Sequence, residues 1–325
     1  MEDKKMVSGR KPGVVVIGPV FVDMAIRCSH IPISGQIVIG NNLSYITTGS
    51  GPNQAVEAAL CGCNVHLISK IGGDTFGTMA KESLSDYDVN VEYIHKAEAK
   101  NTGIIVTFVS STGENAECQY FGANVALGTR DIEAAEDIIS EADVCLIHGS
   151  LPQEAIVAAI RCAKVHGTKA ILNPEKPIEQ KVKESGGLPD EFFMVDMIIS
   201  NLGEAADITD HSTSGIRTAK LIGSDMVARG VKSAVITMGK RGCMVVDRDG
   251  ADQIPAFEIE SVDNTGRGDA FTGALAAYYA VEDDVRGAVK FASAAGALAC
   301  TKYGSIEAMP SKADIIQLLQ KEDMQ

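Results

Sequence analysis

Val262-Asp263-Asn264-Thr265-Gly266-Arg267-Gly268-Asp269-Ala270-Phe271 runs directly into a small-residue stretch, Gly273-Ala274-Leu275-Ala276-Ala277, with the spacing of a buried helix. Glycines at 266 and 268 leave backbone N–H groups uncovered at the start of that helix, where the dipole and the unpaired donors favour an anion. Asp269 falls in the first turn. There a carboxylate either caps the helix or, aimed into a cleft, accepts the proton of a substrate hydroxyl.

Working outward from this loop, apolar runs of strand length alternate with helical patterns, the signature of βα units and a parallel sheet covered on both faces. Strands are predicted at Val14–Ile17, Val65–Ile71, Val144–Ile147, Ala170–Leu172, Met197–Ile199 and Ala234–Thr237. Helices are predicted at Asn53–Leu60, Ile132–Ile139, Gln153–Val165, Ser214–Arg229, Asp269–Ala280, Val285–Cys300 and Ser311–Leu319. Two stretches break the rhythm, 37–48 and 102–120. The second holds β-rich segments joined by Ser110-Ser111-Thr112-Gly113-Glu114-Asn115 and reads as a hairpin. The expected fold is α/β, a three-layer α/β/α sandwich with a mostly parallel central sheet and a small β-sheet lid. A flexible extension is expected over residues 1–13, one large domain over 14–325, and a loop at the glycine-rich punctuation between Lys183 and Pro189.

Composition narrows the function. The 325 residues carry a net charge of −14, which argues against nucleic acid and anionic lipid as partners. Any anionic ligand then needs a locally electropositive device, and the 266–269 loop is one. No apolar run reaches the roughly 18–20 residues of a membrane span, and the polar N-terminus lacks a signal-peptide core, so a cytoplasmic location is expected. The eight scattered cysteines form no CxxC pair and read as buried thiols of a reducing compartment. Gly239-Lys240-Arg241-Gly242 lacks the spacing and following helix of a phosphate-binding Walker loop, and no early G-x-G-x-x-G joins a strand to a helix.

Asp-x-Thr-Gly-x-Gly-Asp at 263–269 closely resembles the second signature of the ribokinase-like, or PfkB, family of carbohydrate kinases. Other segments resemble that family in the same order: Gly49-Ser50-Gly51-Pro52-Asn53-Gln54-Ala55, Ile71-Gly72-Gly73-Asp74-x-x-Gly77, Asn173-Pro174, Ser200-Asn201-x-x-Glu204, and Thr237-Met238-Gly239-Lys240-Arg241-Gly242. The resemblance spans about Val14 to Pro310. It implies transfer of a phosphoryl group from ATP to a hydroxyl of a small sugar, with Asp269 as base and Gly266, Arg267, Gly268 and Asp269 forming the anion hole. Positioning and charge neutralisation are most of what such chemistry asks of a protein.

By the same resemblance, Asn201, Thr237, Gly239, Gly242, Gly268 and Ser293 contact ATP, and Glu204 holds Mg²⁺ through water. Asp263, Thr265, Ala299, Lys302 and Gly304 surround a monovalent cation such as K⁺. Asp23, placed just after the first strand, together with Gly49, Ser50, Gly51 and Asn53, binds the sugar. Residue by residue, simpler readings stand beside these. Asn53 and Asn201 can cap helices, Glu204 and Asp23 can be solvated carboxylates, Thr237–Gly242 can be a plain hairpin turn, Ser293 can be a packed helix residue, and Arg267 can point to solvent.

The sugar pocket departs from the family pattern. Phe21 stands where ribose-specific members carry an asparagine, Ser50 where they carry a lysine, and Ser150 where a glutamate contacts the sugar. Losing three polar contacts, each ~1 kcal/mol or more, can remake the pocket. An aromatic at 21 could stack on a nucleobase, so a nucleoside kinase is a second expectation and a non-catalytic sugar or nucleotide sensor a third. The lid's apolar face, taken with the resemblance, implies a homodimer through the lid.

Overall fold

The computed structural model describes residues 10–175, 188–209, 211 and 215–323. Ten strands form the main sheet: β1 (Gly13–Ile17), β4 (Asn64–Gly72), β5 (Val89–Asn90), β6 (Ile94–Ala97), β9 (Val144–His148), β10 (Lys169–Asn173), β11 (Met197–Asn201), β12 (Ser233–Thr237), β13 (Cys243–Asp247) and β14 (Gly250–Ile254). Their order is β14-β13-β12-β11-β10-β9-β1-β4-β5, with β6 also paired to β4. Pairing is parallel from β12 through to β5 and antiparallel only at the β12-β13-β14 edge.

Helices cover both faces: α1 (Ser50–Leu60), α2 (Thr75–Ser85), α3 (Thr129–Glu133), α4 (Glu136–Glu141), α5 (Gln153–His166), α6 (Leu202–Thr209), α7 (Gly215–Ala228), α8 (Arg267–Tyr279), α9 (Val285–Ala299) and α10 (Lys312–Asp323). The strand period of two divides the core between them. Val14 and Val16 enter the layer beneath α1, α8 and α9, while Val15 and Ile17 enter the layer beneath α5 and α7. Every residue of β1 and β9 is buried, which is why these strands read as unbroken apolar runs.

The approach of α1 to α8 sets the site. A side chain on Gly273 would stand 2.6 Å from the Gln54 carbonyl oxygen and 2.8 Å from Glu57 Cβ. Only glycine lets the two helices touch backbone to backbone at this point, and the contact carries the first turn of α8 down onto the first turns of α1.

The lid is a four-stranded sheet of order β3-β2-β7-β8, built from β2 (Phe21–Cys28), β3 (Gly40–Thr48), β7 (Gly103–Val109) and β8 (Asn115–Tyr120). The β7–β8 hairpin is as expected from the sequence. Its root is pinned at two places. Asn124 Oδ1 accepts from Val20 N (2.9 Å) while its Nδ2 donates to Val20 O (2.8 Å). Asp74 accepts from Thr102 N (2.8 Å) and from the Thr102 hydroxyl (2.6 Å).

Several expectations are corrected. The lid contains the strand Phe21–Cys28, which the sequence reading missed although Gly18-Pro19 stands just before it and Asp23 and Arg27 alternate with apolar neighbours. The first lid segment starts at Gly40 instead of residue 37. The helix expected over Ile132–Ile139 is broken into α3 and α4, with Ala135 N donating to Ile132 O (3.0 Å) at the break. Helices α2 and α6 were not anticipated. Cys118, on β8, is exposed and Cys162 half-buried, so not every thiol lies in the core. The first nine residues of the expected extension, most of the loop between Lys183 and Pro189, and Ser214 lie outside the described residues. No helix among the described residues is long and apolar enough to cross a membrane.

Candidate active site

At the C-terminal ends of β9 to β12, facing the start of α8, lies a cavity of about 370 Å³. Gly266, Arg267, Gly268 and Asp269 form one wall, and Ser50, Asn201, Glu204 and Thr237 contribute elsewhere. Open α/β sheets generally place their ligands at this end of the strands.

Asp269 is the third residue of α8 and does not cap it; the capping position is Gly266, in the left-handed region at φ 72°. Its carboxylate is turned toward α1 instead. Asn53 Nδ2 donates to Oδ2 (2.8 Å) and Gln54 Nε2 to Oδ1 (2.9 Å). Gln54 Nε2 also donates to Asn173 Oδ1 (3.0 Å), and Asn173 Nδ2 in turn to Ile199 O (2.8 Å). Two amides thus fix the carboxylate, and each of its oxygens keeps acceptor capacity for a hydroxyl in the cavity. Asn53 is 3% exposed and Gln54 fully buried, and their own carbonyl oxygens have no hydrogen-bond partner. Burying such polar groups costs free energy, so their placement is explained by what they hold.

Along the same wall, the backbone N–H groups of Gly268 and Asp269 donate to no described residue. A side chain on Gly268 would meet nothing within 4 Å, so packing does not demand glycine there. These uncovered donors at a helix N-terminus can take an anion. Arg267 is exposed and borders the cavity, its stem passing beside Gly296 of α9.

Asn201 and Glu204 form a reciprocal pair around the start of α6. Glu204 N donates to Asn201 Oδ1 (2.9 Å), Asn201 N to Glu204 Oε2 (3.0 Å), and Asn201 Nδ2 to Glu204 Oε1 (2.5 Å). This is a capping box, the simpler reading of both residues, yet both side chains also line the cavity. Burial, with Glu175 and Asp207 nearby, pushes the Glu204 carboxyl up to about 7 against the pull of Asn201. A divalent cation would relieve that crowding of negative charge. Mg²⁺ needs no all-protein cage, only one or two carboxylates besides water and phosphate oxygens, so the donor set fits it.

The remaining expected residues fall in three places. Asp23 lies within lid strand β2, not in a loop; Thr107 Oγ1 donates to it (2.7 Å), and burial raises its carboxyl above the usual range despite that bond. Gly49 (φ 106°) and Gly51 pack against Pro19 and Gly18, where side chains would stand 2.6–2.8 Å from backbone atoms. Gly239 and Gly242 form the β12–β13 turn. Gly242 is required by the edge hairpin, since a side chain would collide with Ile254 O, while Gly239 faces open space. Ser293, on α9, has its hydroxyl 3.8 Å from Cys243 Sγ.

Asp263, Thr265 and Gly304 come together. Asp263 Oδ1 accepts from the Thr265 N–H (2.9 Å) and hydroxyl (2.8 Å), and its Oδ2 from Gly304 N (3.2 Å). Burial opposes ionisation of Asp263, but these bonds hold its carboxyl below the usual range. Ala299 and Lys302 adjoin through Lys302 N donating to Ala299 O (3.5 Å).

Two expectations change. Asn53 does not cap α1, whose capping position is Gly49; its Nδ2 donates to Asp269, which leaves its second N–H and its Oδ1 uncommitted among the described residues. Phe21 is 2% exposed and edge-on to Phe121 (5.5 Å between centroids), so its ring offers no free face for stacking. Gln54, Asn173, His148 and Glu175 were not assigned roles from the sequence. Gln54 had a signal, an uncharged polar residue inside the apolar run of α1. Ser150 N donates to His148 Nδ1 (3.1 Å), and His148 Nε2 lies 3.9 Å from Glu175, a pairing made by two strand ends distant in sequence.

The family model of the pfkB family carbohydrate kinases matches residues 11–312. A deoxyribokinase of Salmonella typhi is 28% identical over 300 residues, covering 92% of this chain and 95% of the relative. A ribokinase of Mus musculus is 30% identical over 270 residues, covering 82% of this chain and 81% of the relative. Among solved structures, an Arabidopsis thaliana ribokinase complexed with ribose and ATP superimposes with a TM-score of 0.86 at 23% identity, over 96% of this chain and 99% of that one.

Proposed function

Because the chain belongs to the pfkB family of carbohydrate kinases and is itself a carbohydrate kinase, we propose that it transfers the γ-phosphoryl group of ATP to a hydroxyl of a small sugar, ribose or another small carbohydrate such as deoxyribose. The observation that carries this reading is the single wall on which Asp269, fixed by Asn53 and Gln54, stands beside the unpaired N–H groups of Gly268 and Asp269. The relatives that act on ribose and deoxyribose support the pentose.

In this reading Asp269 accepts the proton of the sugar hydroxyl as its oxygen attacks the γ-phosphorus. The bond from that phosphorus to the β,γ-bridging oxygen breaks, ADP leaves, and the proton passes from Asp269 to solvent. The 266–269 donors and Arg267 stabilise charge on the transferred group. Glu204, through water, and Asn201 beside it would hold Mg²⁺, which would supply neutralisation of the phosphate charges. Asp23, Gly49, Ser50, Gly51 and Asn53 surround the sugar, and Asn53 also holds Asp269. Thr237, Gly239, Gly242 and Ser293 border the nucleoside. Asp263, Thr265, Ala299, Lys302 and Gly304 would hold a monovalent cation such as K⁺. The lid closes over the sugar and limits ATP hydrolysis by water.

The test is Asp269→Asn assayed with ATP, Mg²⁺ and a panel of pentoses and hexoses. Phosphorylation should fall by about 10²–10⁴-fold with the fold and sugar binding retained. Retained turnover would remove Asp269 as the base, and turnover of no sugar by the unaltered protein would return the choice to a sensor. The nucleoside alternative rested on Phe21, whose burial leaves it without a specific observation in its favour.

A further inference from the structure

Lid and anion hole meet at one small polar contact. The Ser305 hydroxyl donates to Thr48 Oγ1 across 3.1 Å, joining residues 257 positions apart. Thr48 is the last residue of β3, paired with Phe21 at the root of the lid, and it leads directly into Gly49 and the cavity residue Ser50.

Ser305 is buried and forms part of the seat of the glycine loop. A side chain on Gly266 would stand 3.5 Å from Ser305 Cα and 3.1 Å from Met309 Cε. One residue earlier, Gly304 N donates to Asp263, whose carboxylate also gathers both Thr265 groups. Residues 263–266 and 304–309 are therefore one packed unit, and the Ser305 hydroxyl ties that unit to the lid.

We infer that Ser305 is a positioning residue whose bond to Thr48 couples closure of the lid over the sugar to the seating of the anion hole under the phosphates. The inference rests on the site reading above. Both hydroxyls are uncharged and share a shielded setting, so the bond forms when lid root and loop are in register and is lost when either moves. Sugar biases the Thr48 side and nucleotide biases the Gly266 side. Each ligand then raises the affinity for the other by the same factor, because such coupling is reciprocal. One neutral hydrogen bond limits that factor to roughly three- to tenfold.

The experiment measures binding of D-ribose and of 2-deoxy-D-ribose by calorimetry, with and without the β,γ-imido analogue of ATP and Mg²⁺. It is run on the unaltered protein, Ser305→Ala, Thr48→Val and the double variant, with melting temperatures recorded alongside. The unaltered protein should bind the pentose roughly three- to tenfold more tightly with the analogue present. Each single variant should lose that gain, the double should lose no more than either, and Thr48→Ser should keep it. A gain that survives Ser305→Ala, two losses that simply add, or an unaltered protein in which neither pentose responds to the analogue would overturn the inference. The readout is binding, so it stands apart from the catalytic reading: an active Asp269→Asn protein defeats that reading alone, and a persisting gain in Ser305→Ala beside an inactive Asp269→Asn defeats this one alone.

Discussion

At the scale of single residues, the clamp on Asp269 separates holding from reacting. Gln54 touches the carboxylate and the Asn173 amide, and lies on no path to solvent. Gln54→Leu should therefore lower kcat by roughly 10- to 100-fold with little change in KM for ATP, since a freely rotating base loses its alignment in the transition state. An equal rise in KM with unchanged kcat would assign Gln54 to binding. Gly266 and Gly268 form a second contrast. Gly266 sits at φ 72° against Met309, so Gly266→Ala should destabilise the protein by about 1–2 kcal/mol in chemical denaturation. Gly268 is surrounded by open space, so Gly268→Ala should leave stability unchanged and lower turnover by placing a methyl group among the phosphate donors. Equal loss of stability in both would contradict the distinction. The sequence showed Asp269 and its glycines because they are contiguous. It did not show that Asn53 serves Asp269, because that pairing is made by two helices meeting at Gly273, a contact that no local pattern encodes.

At the scale of elements, Asp131 joins three of them. Its carboxylate accepts Lys70 Nζ from β4 at 2.8 Å on both oxygens, Gly128 N ahead of α3 at 2.9 Å, and lies 3.1 Å from His95 Nδ1 on β6. Burial opposes its ionisation, yet Lys70, the Gly128 N–H and His95 together hold it below its ordinary value of 3.8. A carboxyl depressed in the folded state contributes stability that is present above its unfolded pKa and lost as pH falls through the lower folded value. Asp131→Asn should thus cost about 2–4 kcal/mol at neutral pH by leaving Lys70 without its counter-charge, and should flatten the loss of stability in acid below about pH 4. Denaturant titrations of both proteins at neutral and acid pH decide it; parallel acid curves would rule out the linkage. These same elements were the hardest to read. Strands β1, β9 and β12 announce themselves as unbroken apolar runs because both their faces are buried. The short strands β5 and β6, the broken α3–α4 pair and lid strand β2 are set by side-chain bonds such as this one and by pairing partners far along the chain.

At the scale of the whole molecule, the lid and the segment that leads into it present apolar side chains that no described residue covers. Ile37 is 94% and Ile39 88% exposed, and Leu43, Tyr45 and Tyr120 are exposed as well. If, as we propose, these side chains pair in a homodimer through the lid, Ile39→Glu with Leu43→Glu should give a monomer in sedimentation velocity with the fold retained. An unaltered protein that sediments as a monomer at micromolar concentration would remove the dimer. The negative charge belongs to this scale too. A net −14 coexists with a polyanionic ligand because the site is built from backbone donors, which contribute nothing to a count of side chains.

The bond between Asn53 and Asp269 spans 216 residues of chain. A chain emerging in order from its N-terminus has its sugar-facing helix α1 long before the base it will orient. Until α8 docks at Gly273, Asn53 and Gln54 lack the carboxylate they hold and Asp269 has no fixed direction. In the proposed reading, competence to move phosphate therefore waits on a long-range closure.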